Sequence, residues 1–150
     1  MKSYAITVWT GSQGVACAGH PHASPLVLVA EDHEDTRLLL RYVLERRGYR
    51  VVEAEDGEEA VRQAAALAPD LILMDVGLPR TDGLSATRRI RGRDESHVIP
   101  VVFLTGRAYP ADREAAFAAG CDDYLVKPVD IDQLDCVLEK HLKPQEGRAH

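Results

Sequence analysis

Short, unbroken apolar runs alternate along this chain with longer stretches in which apolar residues recur every three or four positions. Leu26-Val27-Leu28-Val29-Ala30, Leu71-Ile72-Leu73-Met74 and Pro100-Val101-Val102-Phe103-Leu104 are the clearest runs. Their length and uniformity suit strands buried on both faces of a sheet. Tyr49 to Ala54 and Tyr124-Leu125-Val126 are less uniform and predict two further strands. The segments between them read as helices. In 36–47, Leu40 and Leu44 stand four apart beside Leu39 and Val43, while Arg37, Arg41, Arg46 and Arg47 occupy other faces. Gly48 suits the C-terminal cap of that helix. Glu58 to Leu67 is alanine-rich and stops before Pro69, and Asp82-Gly83 opens a helix through about Ile90. Ala111 to Ala119 is closed by Gly120, and Ile131, Leu134, Leu138 and Leu142 mark the apolar face of a last helix over 130–142. Strand and helix alternate five times. That pattern predicts an α/β fold, a doubly wound five-stranded parallel sheet with helices on both faces.

Residues 1–24 do not keep this rhythm. Tyr4-Ala5-Ile6-Thr7-Val8-Trp9 has strand character, but Gly11, Ser12, Gly14, Gly19 and Pro21 break up the rest of the segment. Lys2 and Ala16-Cys17-Ala18 bear some likeness to a secretion signal, yet the apolar patch between them is short and broken. The expectation is a flexible or loosely packed leader over 1–24, one domain over 25–143 and a tail over 144–150. At 150 residues the chain is long enough for one ordinary core. A formal net charge of -6 argues weakly against nucleic acid as the main partner. No run reaches the roughly 18 apolar residues a membrane span needs. Cys17, Cys121 and Cys136 are odd in number and widely spaced, so they suggest neither a disulfide framework nor a zinc site. Reduced thiols and a cytoplasmic location are the expectation.

The residues that end the strands carry the chemistry. Parallel strands all point one way, so their terminal residues gather at one edge, where open α/β sheets bind ligands. Here those residues are Glu31 and Asp32, then Asp75, Thr105 and Lys127. One acid at a strand end is ordinarily a turn or cap residue. Three carboxylates together repel one another, and keeping them ionised favours a bound cation. An oxygen-only donor set suits Mg²⁺. The added hydroxyl and ammonium complete the groups that phosphoryl transfer requires, with Asp75 as the acceptor.

Four segments resemble the receiver domain of two-component response regulators across about residues 25–143. They are Val29-Ala30-Glu31-Asp32, Leu73 to Pro79, Phe103-Leu104-Thr105-Gly106, and Ala119 to Pro128. The resemblance implies a flavodoxin-like (β/α)5 receiver fold and a phosphorelay response regulator. It implies that Asp75 takes a phosphoryl group from a phosphohistidine on a sensor histidine kinase or histidine phosphotransfer protein. It implies Mg²⁺ held by Asp32 and Asp75, by Glu31 through a water and by the backbone carbonyl of Gly77. Lys127 and Thr105 would contact the phosphoryl oxygens. Thr105 and Tyr124 would then switch a protein-binding surface made of helix 111–119, strand 124–126 and helix 130–142. Gly77 and Arg107 would tune hydrolysis. One departure from the usual aspartate pair is Glu31, whose side chain is a methylene longer.

Three other readings compete. A pseudo-receiver, an interaction module that never takes phosphate, would more naturally lack one of these groups. A Mg²⁺-dependent aspartyl-phosphate hydrolase usually carries a second aspartate two positions past the nucleophile, where this chain has Gly77. A flavin-binding variant is disfavoured by the acidic loop Glu31 to Asp35, which would repel a phosphate. Only Pro144 to His150 come after the last helix, so the expected output is binding to a downstream protein target, by a stand-alone regulator, a relay intermediate or a piece of a hybrid kinase. No nucleic acid or membrane partner is expected, and a homodimer stays open.

Overall fold

The computed structural model describes residues 24–93, 99–106 and 110–142. The leader up to residue 23, Arg107 and the tail from residue 143 therefore lie outside the described residues. The five expected strands are β1 (Leu26–Ala30), β2 (Arg50–Ala54), β3 (Leu71–Asp75), β4 (Val101–Thr105) and β5 (Asp123–Val126). The helices between and after them are α1 (Glu34–Arg46), α2 (Gly57–Leu67), α3 (Gly83–Arg93), α4 (Pro110–Ala119) and α5 (Ile131–His141). All strand pairs are parallel, in the order β2-β1-β3-β4-β5. The chain moves from β1 outward to β2, then returns past β1 to β3. The order thus reverses between β1 and β3, and their carboxyl ends flank the crevice where such sheets bind ligands.

The period of two along each strand divides the core. Val27 and Val29, Leu71 and Leu73, and Val102 and Leu104 pack with Leu40, Val43 and Leu44 of α1 and with Leu134, Val137 and Leu138 of α5. Leu28, Ile72, Met74, Val101 and Phe103 face the opposite way, against Ala60, Val61 and Ala64 of α2, Ala86 and Ile90 of α3, and Ala116 and Ala119 of α4. Every residue of β3 is buried, including its terminal Asp75. That explains why β3 reads as a continuous apolar run with no alternation.

Local signals set the helix ends. The Asp56 carboxylate caps α2 by accepting from the Glu59 amide, and Asp130 caps α5 by accepting from the Asp132 and Gln133 amides. Gly48 and Gly120, after α1 and α4, adopt the left-handed φ of +91° and +109° expected of residues closing a helix.

On α1 the inward face differs from the sequence reading. Arg37 is 8% exposed, whereas Leu39 is 52% exposed. Arg37 donates to the Glu31 carbonyl oxygen at 3.0 Å and to Glu53 Oε1 at 3.2 Å, so its buried charge is paired and hydrogen-bonded. Among the described residues, no helix is long and apolar enough to cross a membrane.

Candidate functional site

β1 and β3 deliver their terminal acids to one point because their register places Ala30 beside Met74. Glu31 follows β1 and is fully buried, while Asp75 ends β3 and is 7% exposed. Lys127 enters from the end of β5 and stands between them. Its Nζ lies 2.8 Å from Glu31 Oε1 and 3.4 Å from Asp75 Oδ2. The Lys127 amide donates to the Thr105 carbonyl oxygen at 2.7 Å, tying the lysine's backbone to the strand end that bears the hydroxyl. Asp75 Oδ1 accepts from the Gly77 amide at 3.1 Å, an Asx-type turn that fixes the carboxylate's direction. Asp32 is exposed at the mouth of the site.

Backbone packing supports this strand end. The Gly83 amide donates to the Val76 carbonyl oxygen at 2.9 Å, which seats the start of α3 on the residues beside the carboxylate. A Cβ at Gly83 would lie 2.4 Å from the Asp75 carbonyl oxygen. The approach is closed to any other residue unless the backbone moves.

The charges are coupled. Burial opposes ionisation of Glu31, but the Lys127 ammonium and the His33 amide outweigh it and hold that carboxyl below its ordinary range. Burial raises the Asp75 carboxyl, with the negative charge of Glu31 adding to the rise and the Gly77 amide and Lys127 opposing it. Burial would lower the Lys127 ammonium, yet Glu31 and Asp75 raise it overall, so the lysine remains a fixed cation.

The donor set fits a hard divalent cation. One ligand atom each from Glu31, Asp32, His33 and Asp75 lie within 4.8 Å of one another. Three carboxylates face one ammonium, which leaves an excess of two negative charges. Glu31 Oε1 is buried 2.8 Å from the Lys127 ammonium, and a carboxylate oxygen has two lone pairs, so one is left for a cation or its water. His33 Nδ1 stands 3.2 Å from Glu31 Oε2, and the His33 backbone amide donates to the same oxygen at 3.1 Å. His33 thus orients Glu31.

A cavity of about 480 Å³ opens beside Asp75, lined by Gly77, Thr105, Arg113 and Tyr124 among others. The half-buried Tyr124 ring at its rim stands T-shaped to Phe117 with centroids 6.2 Å apart, and the Arg113 guanidinium lies 5.2 Å from the Tyr124 ring centroid.

The structure therefore gathers Glu31, Asp32, Asp75 and Lys127, sets Thr105 on the neighbouring strand end, and places Gly77 and Tyr124 on the shared cavity. Arg107 lies outside the described residues. His33, Arg37, Arg113 and Phe117 escaped the sequence reading. The four-residue spacing of Arg113 and Phe117 on the expected helix was the signal available for that pair. His33 follows Asp32 directly, but adjacency alone does not show which way a ring turns.

A doubly wound parallel sheet with acids, a lysine and a hydroxyl at its carboxyl edge defines a receiver-type α/β domain. The response regulator receiver domain model matches residues 27–139, and the chain belongs to that family, the receivers of two-component signalling systems. The chain is 36% identical over 123 residues to the alkaline phosphatase synthesis transcriptional regulatory protein PhoP of Bacillus subtilis, covering 82% of this chain and 50% of that one. It spans about half the length of the curated relatives it matches. Among solved structures, the receiver domain of a sensor histidine kinase from Pseudomonas aeruginosa PAO1 is 38% identical, with a TM-score of 0.75 over 81% of this chain and 100% of that chain. That structure has a magnesium ion coordinated in its active-site cleft. A Saccharomyces cerevisiae response regulator receiver, co-crystallised with its histidine phosphotransfer signalling protein, is 28% identical, with a TM-score of 0.74 over 79% of this chain and 89% of that chain.

Proposed function

We propose that this domain is a phosphorelay switch in which Asp75 is the phosphoacceptor. The observation that carries the reading is the buried Asp75 carboxylate, 3.4 Å from the Lys127 ammonium and beside a second buried acid, at the reversal point of the sheet. A carboxylate oxygen of Asp75 attacks the phosphorus of a phosphohistidine, the P–N bond breaks, and the donor imidazole leaves. Lys127 pairs with the phosphoryl oxygens and Thr105 donates to one of them. Such transfer demands positioning and charge stabilisation more than bond-making by the protein, so no separate base is required.

Mg²⁺ is the cofactor this donor set suits. Asp32 and Asp75 hold it through carboxylate oxygens, Glu31 through a water, and Gly77 through its backbone carbonyl. When bound, it supplies positive charge for the carboxylates and phosphoryl oxygens. The structure of the Pseudomonas aeruginosa receiver supports this reading by its coordinated magnesium ion. The donor protein is a sensor histidine kinase or a histidine phosphotransfer protein, a reading supported by the yeast complex. Thr105 and Tyr124 transmit the new charge to the surface of α4, β5 and α5, which binds a downstream protein target. Gly77 leaves water a path to the phosphoryl group, and the residue at position 107 tunes hydrolysis, so Arg107→Ala is expected to change the phosphoryl lifetime.

Incubation with acetyl phosphate and Mg²⁺, followed by intact mass, tests the assignment. One phosphoryl group is expected on the wild type and none on Asp75→Asn. Folded wild type that gains nothing with Mg²⁺ present would establish the phosphorylation-independent interaction module instead.

A further inference from the structure

We infer that Arg113 is an electrostatic latch that keeps Tyr124 at the rim of the cavity until Asp75 carries a phosphoryl group. The inference rests on the Asp75 switch proposed above and adds a positioning residue to it. The half-buried Tyr124 ring contacts two exposed α4 side chains four residues apart, and so on the same helix face. Phe117 stands T-shaped to it at an interplanar angle of 87°, and Arg113 sets its guanidinium 5.2 Å from the ring centroid. Both contacts follow the ring quadrupole, whose negative face attracts a cation and whose edge prefers another ring's face. Arg113 also lines the cavity that contains Asp75 and Thr105. Among the described residues lining that cavity it is the one arginine, and its side chain is exposed.

The two roles of Arg113 conflict once Asp75 is modified. An aspartate carries one negative charge, and an acyl phosphate adds a second in the same cavity. A guanidinium binds phosphoryl oxygens in a fork and does so far more strongly than it binds a ring face. Arg113 is then drawn toward the phosphoryl group, and its hold on the outer face of the Tyr124 ring is lost. Tyr124 is free to turn into the cavity. The latch therefore opens in response to the charge itself.

The test replaces tyrosine with 3-fluorotyrosine in the full chain and reads Tyr124 by ¹⁹F NMR, with Tyr124→Phe to assign its signal among the five tyrosines. Wild type, Arg113→Gln and Arg113→Lys are compared at rest and with acetyl phosphate and Mg²⁺. An exposed cation–π contact favours the outward ring by roughly 2–5-fold. Arg113→Gln is accordingly expected to move the resting signal toward the phosphorylated position by that change in population, and Arg113→Lys to restore part of the difference. Superimposable resting signals for wild type and Arg113→Gln, with Tyr124 still moving on phosphorylation in both, would overturn the latch and leave the switch standing. A wild-type Tyr124 signal that stays fixed while intact mass shows the phosphoryl group would overturn the tyrosine switch, and the latch with it.

Discussion

Gly83→Ala separates the positioning of Asp75 from its chemistry. The new methyl carbon would lie 2.4 Å from the Asp75 carbonyl oxygen and 2.9 Å from the Val76 Cα. Both obstacles are backbone of the strand end, so neither can turn aside as a side-chain tip would. A close carbon–oxygen approach is about 3.3 Å, so α3 and the end of β3 must part by roughly 1 Å. Overpacking of this kind costs about 1–3 kcal/mol. Replacing glycine within a helix returns up to about 1 kcal/mol of that. A domain with about 5–15 kcal/mol of stability still folds. The site is less tolerant, because a displacement of roughly 1 Å at reacting groups lowers rates by on the order of 100-fold. Urea unfolding would give the stability change, and an intact-mass time course with acetyl phosphate at saturating Mg²⁺ would give the rate. The expected result is a small loss of stability with a rate reduced about 10–100-fold. A variant phosphorylated within twofold of the wild-type rate would show that the Gly83 contact does not position Asp75.

Three further outcomes are expected. Arg37→Ala should cost about 2–3 kcal/mol in urea unfolding, because it strips a buried Glu31 carbonyl and Glu53 of their partner; a loss below about 0.5 kcal/mol, the range of ordinary surface changes, would contradict that burial. Added Mg²⁺ should raise the melting temperature of the wild type, and the rise should vanish in Asp32→Asn; an equal rise in both would remove Asp32 from the metal site. In a Cys17→Ser background, a thiol reagent at pH 8 should titrate exposed Cys136 and leave Cys121 untouched, since burial pushes the Cys121 thiol up to about 11. The folded-state value is the raised one. The protonated thiol's contribution to stability is therefore complete below the unfolded value near 9 and is lost as pH rises toward 11. Wild type should lose more stability than Cys121→Ala between pH 8 and pH 10.5, and parallel losses would refute the assignment.

The strands were legible because a parallel strand buried on both faces must be apolar throughout, and turn residues bound each run. Helix starts were less so. α1 begins at Glu34 instead of 36, since Glu34 and Asp35 suit the positive end of a helix but add nothing to an apolar period. Tyr49 reads as strand by residue type, yet its amide bonds back to the Leu44 carbonyl oxygen and finishes α1. α3 runs past Ile90 to Arg93, and Arg91 reaches the carbonyl oxygens of Ile99 and Gly120, partners 8 and 29 residues away in sequence. Leu39 and Arg37 exchanged places for a related reason. An apolar period counts leucine as inward wherever it falls, and only the position of Glu53 on β2 makes the Arg37 side suitable for burial. The acid, lysine and hydroxyl positions needed no such knowledge, because strand polarity alone collects them at one edge. The roles of His33, Arg113 and Phe117 depend on side-chain direction, which a linear pattern does not encode.

The helices covering the two faces of the sheet contribute residues of different size, mostly alanine on one side and leucine and valine on the other, and this has a mechanical consequence. Tyr124 packs toward the side of α2, α3 and α4, while Leu125 packs toward α1 and α5. α5 is anchored by Leu134, Val137 and Leu138, whereas the described buried anchors of α4 are Ala116 and Ala119. An alanine methyl offers far fewer atoms to interlock than a leucine, so the free energy needed to slide a helix across the sheet falls with the size of its anchors. α4 rests on low relief and α5 is keyed into deep relief. Under the Asp75 switch proposed above, the added charge would act beside the helix that is less deeply keyed, with the opposite layer as a fixed frame of reference.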